Sequence, residues 1–92
     1  MEQKANASNK VYVGVTVCMD TQGNMLPKII HWKDGRSFDI ERIGKIDRHY
    51  SHNQGGRQDR YCVKIAGKNR YLYFEYGTAP DNFYRWYVVG KG

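Results

Sequence analysis

The sequence contains no apolar run long enough to cross a bilayer, for which a helix needs about 20 residues. Its opening residues, MEQKANASNK, lack the apolar core of a secretory signal. Cysteine is scarce, and Cys18 and Cys62 form no Cys-x-x-Cys motif. We therefore expect a soluble, cytoplasmic chain with two free thiols, although the spacing alone leaves a single Cys18–Cys62 bridge open.

The length of 92 residues accommodates one domain and excludes a second. The chain has 15 Lys and Arg against nine Asp and Glu, and the resulting charge of +6 favours a polyanionic partner. Residues 1–24 are neutral, whereas residues 25–50 carry six basic against four acidic side chains and residues 51–76 carry five against two. The most basic stretch is Lys45–Lys64. Cations that merely protect the edges of a small sheet would give the same pattern.

Helical periodicity is almost absent, and alternation of apolar with other residues takes its place. Residues 1–10 have no apolar period, which predicts a disordered tail. Four alternating valines in residues 11–17 then predict a regular strand, and residues 20–24 have the composition of a turn. A second strand is predicted over Met25–Trp32. The Asp-Gly turn in Lys33–Arg36 should fold it onto a third.

The third strand loses its alternation soon after it starts. Phe38 and Ile40 fit a strand, but Ile43 and Ile46 follow at steps of three residues. Either bulges bend the strand, or residues 39–49 form a short helix. Glycine and several isoleucines disfavour a helix, so the bent strand is the favoured prediction.

Two further strands are predicted on either side of a turn at Lys68 and Asn69. In that register Ile65 lies opposite Leu72, and Lys64 faces Tyr73. A last strand covers residues 83–89. The predicted fold is all-β: an antiparallel meander of about six strands, spanning residues 11–90, that curls into a small SH3-like or OB-like barrel.

Three motifs resemble those of a group of short bacterial proteins to which no activity is assigned. They are a Trp-x-Asp-Gly-Arg-x-aromatic hairpin at Trp32–Phe38, an Arg-Tyr-x-Val strand at Arg60–Val63 and a closing Arg-Trp-aromatic-Val strand at Arg85–Val88. The likeness covers residues 11–89. It implies a bacterial, cytoplasmic origin and a small β fold, and it supplies no catalytic residues.

No set of residues has the spacing of a catalytic or metal site. His49 and His52 lie near Asp47, but a structural zinc site needs four ligands at recognisable spacings. Ser51 lies between the two histidines without the strand-turn-helix context of an activated nucleophile, and Cys18 has no base beside it in sequence. We expect a protein that is not an enzyme and that holds no metal or cofactor.

The strongest candidate surface is the outer side of the last strands. If Val63, Leu72 and Trp86 point into the core, their neighbours point outward. These outward residues form a strip of aromatic and cationic side chains, a combination with which sheet modules stack bases and neutralise phosphates. The strip consists of Lys64, Tyr71, Tyr73, Arg85 and Tyr87.

Together with the basic segment, this strip predicts a nucleic-acid site for DNA or RNA. Its alternative is a surface that binds a partner protein or a second copy of the chain, because Tyr, Trp and Arg are enriched at protein interfaces as well. Simple packing of Lys64 on Tyr73 is a third explanation. The predicted nucleic-acid-binding residues are Lys45, Arg48, Tyr50, Arg57, Arg60, Lys64, Tyr71 and Tyr73.

Overall fold

In a computed structural model of the chain, residues 9–51, 57–77 and 83–90 are described. These residues form seven antiparallel strands and no α-helix, so the all-β prediction is confirmed. Residues 1–8 of the predicted tail lie outside the described residues, and β1 begins at Lys10. The strands are β1 (Lys10–Met19), β2 (Met25–His31), β3 (Ser37–Asp39), β4 (Arg42–Ser51), β5 (Arg57–Ile65), β6 (Lys68–Glu75) and β7 (Arg85–Val89).

The sheet is curled, and the short segment between β3 and β4 forms hydrogen bonds with strands near both edges of the sheet. The strand order is β3-β2-β1-β7-β6-β5-β4, which places the consecutive strands β3 and β4 at opposite edges. Between them, the Ile40 amide donates to the Lys28 carbonyl in β2, and the Glu41 amide donates to the Lys64 carbonyl in β5, both at 2.8 Å. Neighbouring residues can reach both strands only if the sheet curls and its two edges approach each other at this segment, which gives the barrel-like shape.

The bent strand predicted after Phe38 is confirmed, and the short helix is not formed. The predicted third strand is divided at Ile40 and Glu41 into β3 and β4, which is why seven strands replace about six. Pairing of β4 with β5 is irregular between Ile43 and Ile46, so an odd spacing still brings both isoleucines against the core.

The Asp-Gly turn between β2 and β3 is also confirmed. The Gly35 amide donates to the Trp32 carbonyl at 3.0 Å, and the Trp32 amide donates to the Arg36 carbonyl at 2.8 Å. Gly35 has φ of 95°, a left-handed conformation that glycine adopts without steric cost.

The predicted register of β5 with β6 is wrong. The turn consists of Ala66 and Gly67, with φ of 51° and 78°, instead of Lys68 and Asn69. Ile65 therefore pairs with Lys68 rather than Leu72. The displacement is an even number of residues, so the inward and outward faces keep their predicted sides, but Lys64 now lies opposite Asn69 instead of Tyr73.

The core lies on the concave side of the sheet. Tyr61 and Leu72 have no exposed surface, and Trp86 packs on both Tyr61 and Phe74, with ring centroids 5.3 and 4.7 Å apart. Alternation along β5, β6 and β7 then sends the intervening side chains to the convex side, which we call the outer face.

The Ala66–Gly67 turn yields a stability prediction. A left-handed alanine costs about 1 kcal/mol or more, whereas asparagine tolerates this conformation and Asn-Gly is the preferred pair in such turns. We expect Ala66→Asn to raise the free energy of unfolding by about 0.5 to 1 kcal/mol in urea titrations. Ala66→Val is the control and should be destabilising, because a β-branched side chain is strained at positive φ. Equal stability of the two variants would contradict the turn.

Candidate functional site

Four tyrosines on the outer face form a continuous row, which we call the tyrosine row: Tyr12, Tyr87, Tyr73 and Tyr71. Tyr12 pairs with Tyr87 between β1 and β7, and Tyr87 pairs with Tyr73 between β7 and β6. The Tyr73 and Tyr87 rings stack, with centroids 4.9 Å apart and planes 5° apart. Tyr12 meets the edge of Tyr87 at 5.7 Å, and Tyr71 lies 6.4 Å from Tyr73.

The members of the row differ in accessibility. Tyr71 is 50% exposed, but Tyr87 is only 4% exposed, although the sequence predicts both on the outward strip. The Tyr87 hydroxyl donates to the Gln58 side-chain oxygen at 2.7 Å, and burial raises the pKa of Tyr87 far above its ordinary value, with the Glu75 charge adding to the increase. Tyr87 is therefore a buried, structural member of the row, whereas Tyr71 is accessible to a ligand.

Glu75 connects cations to one end of the row. Its carboxylate accepts a hydrogen bond from Lys10 at 3.0 Å and another from the Tyr12 hydroxyl at 2.9 Å, and Arg85 lies 3.5 Å away. The Arg85 guanidinium also lies over the Tyr12 ring, 4.0 Å from its centroid. Burial alone would raise the pKa of Glu75, but the hydrogen bonds from Lys10 and Tyr12 outweigh burial, and the pKa lies below its usual value.

Asp47 has the same arrangement beside the other end of the row. It lies 2.8 Å from Arg60 and 3.7 Å from Lys45, and the Arg60 hydrogen bond lowers the pKa of Asp47. Arg60 also covers the Tyr71 ring at 4.4 Å. Because each of the two carboxylates is shared by two cations, the ion pairs leave positive charge in excess around the row.

Five of the eight predicted residues are brought together on the outer face. Arg60 pairs in register with both Tyr73 and Asp47, which aligns the basic segment with the tyrosines. Lys64 is partly buried and has no ion pair among the described residues. Tyr50 pairs with Gln58 in the β4–β5 ladder, but its side chain lies outside the described residues. The five on this face are Lys45, Arg60, Lys64, Tyr71 and Tyr73.

Arg48 and Arg57 lie apart from that group, around a buried carboxylate. Asp59 is 1% exposed, and it accepts hydrogen bonds from Arg48 at 3.1 Å and from the Tyr76 hydroxyl at 2.8 Å. Burial and the bond to Asp59 raise the pKa of Tyr76, and Arg57 lies over the Tyr76 ring at 4.8 Å. The positive charge of Arg48 thus compensates a buried negative charge inside the fold.

Three outer-face residues, Lys10, Tyr12 and Glu75, were not predicted as part of the site. The valine alternation in β1 places Tyr12 on the face opposite the core, which is a usable signal. Their position beside Tyr87 depends on the pairing of β1 with β7, which joins the two ends of the described sequence. No local pattern encodes that pairing.

Comparison of the chain with protein-family models, curated proteins and solved structures gave no match. Cys18 and Cys62 are both free, and Cys18 is exposed. Within the described residues, no cluster of three or more His, Cys, Asp or Glu side chains could hold a metal ion. The same residues contain no helix that is long and apolar enough to span a membrane.

Glu75 gives a pH-dependent prediction. A carboxyl whose pKa is lowered on folding stabilises the fold above its unfolded pKa, and this contribution is lost as the pH falls through the folded value. We expect Glu75→Gln to lower the free energy of unfolding by about 1 kcal/mol at pH 7. The difference from wild type should disappear well below the usual glutamate pKa of 4.5.

Urea titrations across the pH range measure this difference. Glu41→Gln is the matched control, because Glu41 is exposed and has no ion pair among the described residues. A difference between Glu75→Gln and wild type that stays constant down to acid pH would contradict the assigned ion pairs.

Proposed function

We propose that this chain is a non-enzymatic module that binds single-stranded nucleic acid on its outer face. The observation that carries the proposal is a half-exposed tyrosine, Tyr71, at the end of an ordered aromatic row with surplus positive charge. The bacterial, cytoplasmic setting and the SH3-like or OB-like subclass of the barrel belong to the same proposal.

Tyr71 is the proposed stacking platform. Unpaired bases stack on aromatic side chains with about 1 to 3 kcal/mol per base, whereas paired bases in a duplex do not present their faces. Arg60 lies over the Tyr71 ring, and Tyr73 lies behind it in a stack with Tyr87. The platform is therefore ordered before a base arrives, which lowers the entropic cost of binding.

Phosphates have suitable partners around this platform. Lys64 is on the same face of β5 as Arg60 and has no ion pair among the described residues, and Lys45 is 81% exposed although it lies near Asp47. Cations that share one carboxylate keep hydrogen-bond donors for a second anion. These cations would contact the phosphate backbone of the nucleic acid and not its bases, so the proposal includes no sequence preference.

A second candidate function uses the same surface to bind a protein partner or another copy of this chain. Val89 in β7 is 54% exposed and alternates to the outer face, so an exposed aliphatic side chain accompanies Tyr71 there. Apolar and aromatic surface of this kind is typical of interfaces. Oligomeric state separates the two functions.

Fluorescence anisotropy with labelled oligonucleotides of about 15 nucleotides tests nucleic-acid binding. We expect Tyr71→Ala to weaken single-strand binding about 5- to 150-fold, which corresponds to the loss of one stacked base. Lys64→Gln should reduce the loss of affinity between about 50 and 200 mM salt, because it removes one contact with a phosphate. Tyr84→Ala is the matched control, because Tyr84 is 58% exposed and packs on Phe74 on the inner side of the sheet.

Three outcomes would count against nucleic-acid binding: no binding at low salt, affinity independent of salt, or equal losses for Tyr71→Ala and Tyr84→Ala. Light scattering across a concentration series accompanies the titration. A monomer at all concentrations supports the module as proposed. A dimer that dissociates on Tyr71→Ala substitution favours the interface between copies.

A further inference from the structure

A groove of about 280 Å³ opens at one mouth of the barrel, and its lining shares Tyr71 with the proposed oligonucleotide surface. It lies between the β2–β3 hairpin and the β5–β6 hairpin. Trp32 and Phe38 line it on the first hairpin, and Ile65 lines it on the second, with the core residues Leu72 and Val88 also exposed to it. The groove therefore reaches the apolar interior.

All charged side chains among the described residues that line this groove are basic: Arg36, Lys68 and Arg70. Lys68 and Arg70 are exposed, and neither forms an ion pair with any described residue. Five other cations are bound to Asp47, Asp59 or Glu75, namely Lys10, Lys45, Arg48, Arg60 and Arg85, whereas Lys68 and Arg70 remain available to an external anion.

Arg36 is held in position at the same mouth. Its Nε donates to the Asp34 carboxylate at 2.8 Å, and its guanidinium lies over the Phe38 ring, 5.5 Å from the centroid. The two terminal nitrogens of Arg36 have no hydrogen-bond partner in the described part of the chain. They present the donor pair with which arginine binds a carboxylate.

From this geometry we propose that the groove binds a small molecule that has a compact apolar body and one carboxylate. The apolar lining would bury the body, and the three cations at the rim would bind the carboxylate. Pockets for drug-sized ligands begin at about 300 Å³, so the volume of this groove suits one ring or a short chain.

A series of compounds that differ only in their head group tests the proposal. 3-Phenylpropanoate, 3-phenylpropanol and 3-phenylpropylamine share one ring and a short chain but carry a negative, neutral or positive group. Backbone amide shifts in NMR spectra of the full chain measure both affinity and location. We expect saturable binding of the carboxylate at the groove, at least about fivefold tighter than the alcohol, and no saturation by the amine.

Substitutions at the rim test the role of charge. The double variant Lys68→Gln/Arg70→Gln should weaken carboxylate binding about fivefold or more and leave alcohol binding unchanged. Both side chains are exposed and unpaired among the described residues, so the fold should not change. Lys28→Gln is the matched control, because Lys28 is exposed on β2 and does not line the groove. It should leave both affinities unchanged.

Equal affinities for carboxylate and alcohol would overturn the proposal, as would shifts outside the groove or equal effects of Lys28→Gln and the double variant. The result is separable from nucleic-acid binding, because Lys68 and Arg70 are not part of the proposed oligonucleotide surface. A double variant that binds oligonucleotides normally but loses the carboxylate supports a groove site that is distinct from the oligonucleotide surface. A carboxylate that does not bind to wild type rejects the groove alone.

Discussion

The fold depends on the transfer of backbone hydrogen bonds between Ile40 and Glu41. One amide bonds to β2 and the next bonds to β5, so the two ends of a seven-stranded order are held together by adjacent residues. A flat sheet with the same strand order would separate Lys28 from Lys64 by the width of several strands, at about 4.8 Å for each. This curl makes one side of the sheet concave and apolar and the other convex, and it creates the mouth at which the groove opens. Both candidate surfaces follow from this constraint.

The net charge of +6 includes cations in three environments with different physical consequences. In the interior, the charge of Arg48 compensates the charge of Asp59. An unpaired carboxylate at 1% exposure would carry a desolvation cost of several kcal/mol. On the outer face, Glu75 and Asp47 are each shared by two cations, which fixes the cations while leaving a positive excess. At the groove, Lys68 and Arg70 have no acidic partner in the described residues. The availability of a cation to an external anion therefore depends on its own ion-pair partners and not on the bulk charge.

Local patterns in the sequence were sufficient for most of the strands. Alternating valines, the Asp34–Gly35 turn and the broken period at Ile43 predicted β1, the β2–β3 hairpin and the bend correctly. The register of β5 with β6 could not be predicted, because Ala66 adopts a left-handed conformation that its residue type disfavours, and the turn signal therefore pointed to Lys68 and Asn69. Burial of Tyr87 was missed for another reason. It requires Tyr12 and Tyr73 on either side, and only the pairing of the first strand with the last brings Tyr12 there. The predicted residues of β5 and β6 still share the outer face, because a register shift by an even number of residues leaves each side chain on the same side of the sheet.

Tyr71 contacts both candidate surfaces, and this has a thermodynamic consequence. It ends the tyrosine row on the outer face, and it also lines the groove. Tyr71 is 50% exposed, and its ring contacts Arg60 and Tyr73. If both sites bind as proposed, an occupant of the groove that reorients this ring would change the affinity of the outer face for a base. Linkage requires the reverse effect to have the same magnitude, so a base stacked on Tyr71 alters the affinity of the groove by the same factor. The coupling is positive if both occupants favour the same orientation of the Tyr71 ring and negative if they favour different ones. A single side chain is sufficient to couple the two sites in this way.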